Sequence, residues 1–390
     1  MRKNTRYQDI YSSVSLMLCL SKILGLAPYS CSSGKSTKWD VMYSLLIVFV
    51  LTTWCVSSLA WKINHDYPKL SYTIMVPDAL ETLISNVSLI SAVSLFAICH
   101  RHKFQQIFHK ITIVDEMLLG HLSHKIYRKM KIISIIEMLI WFLICLIIFW
   151  FDQAIWAFDG SFIYYIKEYI FHMIGNMFFL QFTNLVLLLR HRYALLNKKL
   201  ESLFGEQVTS LIFHIPLQKN LCSRQLRDKT SKIIELQTLH LSLFDAANLI
   251  NSCYGMSLLS ELTFLFVALI QNIYYTLVII LQFDSLNIKT SVGETVSILI
   301  CWIILRLLKM VCIATSCQMA SEEANRTGRL VRNLLLRDYA NTNCLEKFSH
   351  QLLHYRLQFS ASGFFTLDYT YLYSVAGAIT TYLIILLQFN

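Results

Sequence analysis

Charge, proline and glycine are all scarce in this chain. Only 15% of its 390 residues are Asp, Glu, Lys or Arg, against roughly a quarter in soluble domains. Four prolines and eleven glycines leave little room for linkers or low-complexity tails. No internal repeat is visible. A nucleotide-binding loop is missing, as is any catalytic constellation of Ser, Cys or carboxylates, so an enzyme is not expected. His350 and His354 have zinc spacing, but no Glu follows the first and no third ligand is evident. No metal and no other cofactor is therefore expected.

What the chain has in abundance is apolar surface: 55% of its residues are hydrophobic and its mean hydropathy is +0.51. Seven stretches reach the roughly 20 residues that cross about 30 Å of hydrocarbon. They are, approximately, residues 41–61, 74–99, 132–151, 169–189, 256–283, 292–311 and 364–389. Asp78, Glu81 and Asn86 interrupt the second. The shorter apolar patch at 10–28 carries Lys22 and reads as an interfacial helix, neither signal peptide nor span. Lipid excludes open sheets and exposed loops. The expected fold class is thus all-α, a polytopic membrane protein with seven transmembrane helices forming a single domain over residues 1–390.

The formal charge of +10 comes with no aromatic-interleaved basic motif, so the expected contact is membrane lipid, with no nucleic acid. Its placement orients the chain. Residues 1–40, 100–131, 190–255 and 318–362 hold 28 of the 34 Lys and Arg, and the three intervening loops hold only Lys62, Lys69, Lys167 and Lys289. The positive-inside rule puts the N-terminus in the cytoplasm and the C-terminus outside, inverting the topology of G-protein-coupled receptors. The organisation that follows is a cytoplasmic segment over 1–40, spans one to six over 41–311, anchor helices over 312–363 and a last span over 364–390. Spans four to six should extend below the membrane and pack against a helix near 344–359. None of the eleven cysteines lies in an outside loop, so no disulfide framework is implied.

Three groups of charges near span ends read as anchors. Arg306 and Lys309, toward the inner end of the sixth span, are expected to snorkel to headgroups, with a salt bridge to the cytoplasmic helices as the alternative. His100-Arg101-His102 and Arg190-His191-Arg192 read the same way.

The last span is the most patterned. On a wheel of 100° per residue, Thr366, Thr370, Ser374, Gly377, Thr381, Ile385 and Gln388 fall within about 100° of one another, one small and polar stripe along the helix. Such a stripe either lines a watery path or lets helices approach closely. Asp368 lies well off it, where a local salt bridge or helix cap is the ordinary role.

That span ends in Thr381-Tyr382, five aliphatics and Gln388-Phe389. The pattern resembles the C-terminal signature of insect gustatory receptors, and Ser362 to Asp368 and Gly377-Ala378-Ile379-Thr380 resemble the same family's last-helix block. The resemblance covers about the last 30 residues. It implies a ligand-gated, poorly selective cation channel that detects a small-molecule tastant at the plasma membrane of a sensory neuron. It also implies a homotetramer, or a heterotetramer with other gustatory receptors, held together through the cytoplasmic anchor. The pore would be lined by Thr370, Ser374, Gly377, Thr381, Ile384, Ile385, Gln388 and Phe389.

The short outside loops leave no extracellular ligand domain, so a ligand would enter among the outer helix ends. Candidates there are Glu81, Trp156, Tyr165, Glu168, His172, Gln271, Tyr275, Glu294 and Trp302, aromatic walls with a few directed polar groups. The alternative for each is ordinary packing or an interfacial belt. Residues 296–305 are almost wholly apolar, which argues mildly against a sugar. The competing functional classes are a secondary transporter, for which no inverted repeat is visible, and a receptor coupled to G proteins, against which the loop charges speak.

Overall fold

The computed structural model describes residues 14–26, 37–65, 72–99, 101–120, 123–156, 162–212, 219–282, 292–336 and 342–388. A short helix, α1 (Val14–Ile23), comes first. It is followed by α2 (Lys38–His65), α3 (Tyr72–Ile98), α4 (Arg101–Leu118), α5 (Ser123–Trp156), α6 (Phe162–Ile212), α7 (Lys219–Gln282), α8 (Val292–Leu335), α9 (Thr342–His354) and α10 (Tyr369–Gln388). Among the described residues the only strand-like pairing is one isolated bridge, Ser360 to Thr366. Seven helices are long and apolar enough to cross a membrane: α2, α3, α5, α6, α7, α8 and α10.

Three of these far exceed a bilayer. At 1.5 Å per residue, the 51 residues of α6, 64 of α7 and 44 of α8 make rods of roughly 75, 95 and 65 Å, more than twice the hydrocarbon thickness. Their excess length projects from one end of the bundle, where α4 and α9 pack against them. This is the anchor end; the α2–α3, α5–α6 and α7–α8 connections define the opposite, short-loop end. The helix α4 was not anticipated from the sequence. It is amphipathic and charged, with Phe104, Ile107, Phe108, Ile111 and Val114 buried at three- and four-residue spacing, a pattern that marks a helix lying on a core and not crossing lipid.

The centre is α6, whose span window is 67% buried, and the edge is α10, at 11%. Aromatic rings fasten the middle. Tyr254 of α7 is fully buried and stacks edge-on against Phe96 of α3 at 4.8 Å, with Phe178 and Phe182 of α6 at 5.5 and 5.4 Å. Such contacts contribute about 0.5–1.5 kcal/mol each beyond area burial.

One of the expected anchors is corrected here. Arg192 is fully buried and bidentate on Asp115 of α4, with Nε to Oδ1 at 2.8 Å and Nη2 to Oδ2 at 3.0 Å. Tyr127 of α5 donates its hydroxyl to the same carboxylate. Arg192 therefore ties α4, α5 and α6 together and does not reach headgroups; the fork geometry of guanidinium on carboxylate makes the burial tolerable. Nearby, Asn197 of α6 donates to the Glu323 carbonyl and carboxylate of α8 at 2.8 Å, and Thr327 donates to Asn197 at 2.7 Å. His191 is exposed beside it, and the side chains of Arg101 and His102 lie outside the described residues.

The last span is also shorter than expected. Its helix starts at Tyr369, not Phe364, because residues 360–368 form a tight reversal. Ser362 and Gly363 both take positive φ, 52° and 81°, and Ser360 N–H donates to Asn251 of α7 at 2.9 Å. Asp368 then caps α10, accepting from the Thr370 N–H at 2.9 Å, the Tyr371 N–H at 3.3 Å and the Thr366 hydroxyl at 2.8 Å. This is the N-cap arrangement, so of its alternatives Asp368 takes the cap.

Candidate functional site

Two features are built by this frame: the exposed face of α10 and a cleft among α3, α6, α7 and α8.

On α10 only Tyr371 and Ile379 are buried. They face α7 and α8, where Phe266 meets Tyr382 edge-on at 6.1 Å. Thr370, Ser374, Gly377, Thr381, Ile384, Ile385 and Gln388 are all exposed in the single chain. Phe389 lies outside the described residues. The stripe's hydroxyls are satisfied within the helix: Ser374 donates to the Thr370 carbonyl at 3.0 Å and Thr381 to the Gly377 carbonyl at 3.0 Å. Back-bonding of this kind lets a hydroxyl face lipid, another helix or water at small cost.

The cleft lies among the spans of four helices. Its walls include Glu81, Ser85 and Ser88 of α3, Glu168, Phe171, His172, Gly175 and Phe178 of α6, Glu261 and Phe264 of α7, and Lys309 of α8. Its charges are organised in pairs. Arg306 of α8 meets Glu81 and also donates to the Ala268 carbonyl at 2.9 Å. Lys167 and Glu168 lie 2.6 Å apart, and Lys62 reaches Asp78 at 3.0 Å. Lys309 stands 3.9 Å from Glu261 Oε1, while Ser88 donates to Glu261 Oε2 at 2.7 Å. A charge within lipid depth demands a partner, and each acid here has a base within reach.

This overturns the expected snorkelling of Arg306 and Lys309. They are 5% and 3% exposed and point inward to carboxylates of α3 and α7. Their spacing of three places both on one helix face, and that face lies against the bundle.

An aromatic shelf runs beside the pairs. His172 lies 4.6 Å from Trp302 and 5.9 Å from Phe264 between ring centroids. Arg306 sits 5.4 Å above Trp302, within cation–π range. Trp302 is oriented by its indole N–H, which donates to Asp152 of α5 at 3.1 Å; the Tyr169 hydroxyl donates to the other oxygen at 2.9 Å.

Of the residues predicted from the sequence, Glu81, Glu168 and His172 line this cleft and Trp302 backs it. Gln271 is buried elsewhere on α7 with its Oε1 unpartnered. Tyr275 lies beside Tyr274, with ring centroids 6.2 Å apart, and Glu294 is exposed in the first turn of α8; neither is on the cleft wall. The side chains of Trp156 and Tyr165 lie outside the described residues. Sequence reasoning missed Glu261 and Ser88. A signal existed for Glu261, a lone carboxylate inside an apolar run of α7.

The family model for the 7tm chemosensory receptors matches residues 14–390. A Drosophila melanogaster protein named putative gustatory receptor 28b is 31% identical over 166 residues, 42% of this chain and 35% of that one. Gustatory receptor 68a of the same species is 32% identical over 141 residues, 36% of each. The match thus spans about a third of the length of these two curated relatives. Among solved structures, the insect olfactory receptor OR5 of Machilis hrabei superposes with a TM-score of 0.64, covering 98% of this chain and all of the other at 15% identity. The same receptor in complex with eugenol gives 0.56. At that identity the likeness speaks for the fold alone.

Proposed function

The chain belongs to the 7tm chemosensory receptor family, and from that premise and its likeness to insect gustatory receptors we propose that this multi-pass membrane chemoreceptor is a gustatory receptor and is itself a ligand-gated, poorly selective cation channel. The observation that carries this reading is the exposed polar stripe of α10, which the single chain leaves uncovered. Four copies, as a homotetramer or together with other gustatory receptors, would turn their stripes inward around a common axis. Thr370, Ser374, Gly377 and Thr381 would face the water-filled part, and Ile384, Ile385, Gln388 and Phe389 the outer constriction. Rings of aliphatic side chains block ions by dewetting and conduct once dilated. No acidic ring lies on the stripe, hence the expected weak discrimination among cations.

Loop charges support a cytoplasmic N-terminus, which puts the cleft in the outer half; the proposed receptor sits in the plasma membrane of a sensory neuron. A small-molecule tastant bound there would bias the gate by its differential affinity for the open arrangement. The mechanical link is short: α7 carries Glu261 in the cleft and Phe266 against Tyr382 of α10.

Expression of the chain alone in oocytes, with currents recorded while tastants are screened, tests the proposal. Thiol reagents applied to Ile385→Cys should block ligand-evoked current, and Gln388→Ala should alter permeation or kinetics. Evoked current insensitive to both sinks the pore assignment. Solute uptake without channel-like current would point to a transporter instead.

A further inference from the structure

Arg192 turns inward, but the bases around it do not. Three contacts mark the inward face of α5. Tyr127 donates to Asp115, the Met130 sulfur lies 3.3 Å from Arg192 Nη1, and Ser134 donates to Asn184 of α6 at 2.9 Å. At 100° per residue, Lys125, Arg128, Lys129, Ile132, Ile136 and Leu139 fall on the opposite face, within about 100° of one another. All six are exposed, the three aliphatics by 49%, 50% and 62%. One helix face thus changes from basic to aliphatic within a single turn, between Lys129 and Ile132. Lipid tails cover such aliphatics, which sets the bases at headgroup depth.

Helix α6 adds to this patch from the side. The contact of Met130 with Arg192 joins the two helices at this level. Arg190 and His191, both exposed, therefore stand beside Lys129, near enough for the Lys129 and Arg190 charges to act on the His191 ring. Acids do not neutralise the patch. Asp115 is buried and already held by Arg192 and Tyr127. Glu137 lies two turns farther along α5 and accepts from Asn184 at 3.1 Å. Among the described residues, no ion pair engages Lys125, Arg128, Lys129 or Arg190. Four clustered cations exceed what a singly charged headgroup can neutralise. Arginine takes phosphate as a fork and lysine as a point charge, and cytoplasmic basic clusters between spans suit headgroups with several phosphates. A soluble polyanion or an acidic peptide would use the bases alone. The aliphatic continuation of the same face favours a lipid, whose chains would lie along Ile132, Ile136 and Leu139.

We propose that Lys125, Arg128 and Lys129 of α5, with Arg190 of α6, bind an inner-leaflet lipid whose headgroup carries several phosphates. Full-length protein in neutral detergent is titrated against a fluorescent short-chain phosphatidylinositol bisphosphate, and anisotropy reports binding without needing a conducting channel. Binding should saturate. Unlabelled short-chain phosphatidylserine should compete at least about tenfold less well than the unlabelled bisphosphate lipid, and so should soluble inositol trisphosphate, which has no chains to bury. Lys129→Gln combined with Arg190→Gln should weaken binding roughly thirtyfold, the effect of two cations at an anionic surface. Arg329→Gln with Arg332→Gln removes the same charge from exposed positions of α8 and should change binding by less than about twofold. Should the first pair not fold, Lys125→Gln with Arg128→Gln takes its place. Equal competition by phosphatidylserine would reduce the patch to general anionic attraction and overturn the site. Inositol trisphosphate matching the lipid would overturn the lipid assignment. Binding indifferent to Lys129→Gln with Arg190→Gln, or weakened equally by the α8 variant, would also overturn the proposal.

Discussion

Two glycines in helix interiors predict opposite responses to the same substitution. Gly328 of α8 has no atom within 4 Å of where a Cβ would lie, so Gly328→Ala should gain only backbone propensity, about 1 kcal/mol. Gly255 of α7 is buried under the 360–368 reversal. Its Cβ would lie 3.0 Å from the Ser362 nitrogen and 3.3 Å from the Ser362 Cα. These are backbone atoms in a residue already at φ 52°, and the segment is pinned on both sides by Asn251 and by the Asp368 cap. It has little freedom to retreat. Overpacking of this kind costs about 1–3 kcal/mol, which offsets or exceeds the propensity gain. The two variants should therefore differ by roughly 1–3 kcal/mol, Gly328→Ala on the stable side. Heating purified protein and measuring the surviving folded fraction by fluorescence-detected gel filtration orders them. If both alanines stabilise equally, the reversal is not held against α7, and the argument that it fixes the start of α10 fails.

The remaining predictions concern buried and capping charges. Arg192→Ala strands Asp115 at 3% side-chain exposure and should cost about 3–5 kcal/mol, whereas Arg192→Met with Asp115→Leu should recover much of it; thermal midpoints of the two variants check this. Arg306→Leu alone should lower the yield of folded protein sharply, and adding Glu81→Leu should partly restore it, a coupling that a double-mutant cycle measures. Burial pushes the Asp368 carboxyl up, but hydrogen bonds from the Thr370 and Thr366 hydroxyls and from the Tyr371 and Thr370 N–H groups outweigh it and hold its pKa below the ordinary 3.8. The ionised cap therefore stabilises fully above the unfolded value and is lost as pH falls through the lower folded one. Asp368→Ala should cost about 1 kcal/mol at neutral pH and should flatten that acid limb in a pH series of melting midpoints.

The legible and illegible parts of this fold separate along a physical line. Hydropathy alone locates all seven spans, because about 20 apolar residues admit few readings in lipid. The polar stripe of α10 was equally plain, since it needs only one helix and its period. What a single element cannot report is where its neighbour stands. Arg306 and Lys309 near a span end read as snorkelling cations, and Arg192 in a basic cluster read as a headgroup anchor, because each rule looks outward from one helix. Their carboxylates lie at Glu81, Glu261 and Asp115, 225, 48 and 77 positions away along the chain. A better rule was available. Glu261 and Glu81 are acids inside apolar runs, Arg306 and Lys309 are bases inside another, and lipid tolerates neither kind unpaired. Counting intramembrane acids against intramembrane bases would have predicted inward pairs before any coordinates. It would still not have found the 3.9 Å gap between Glu261 and Lys309, because a pair that falls just short of contact depends on how closely α7 and α8 pack, and Gly175 on a third helix sets the space beside it.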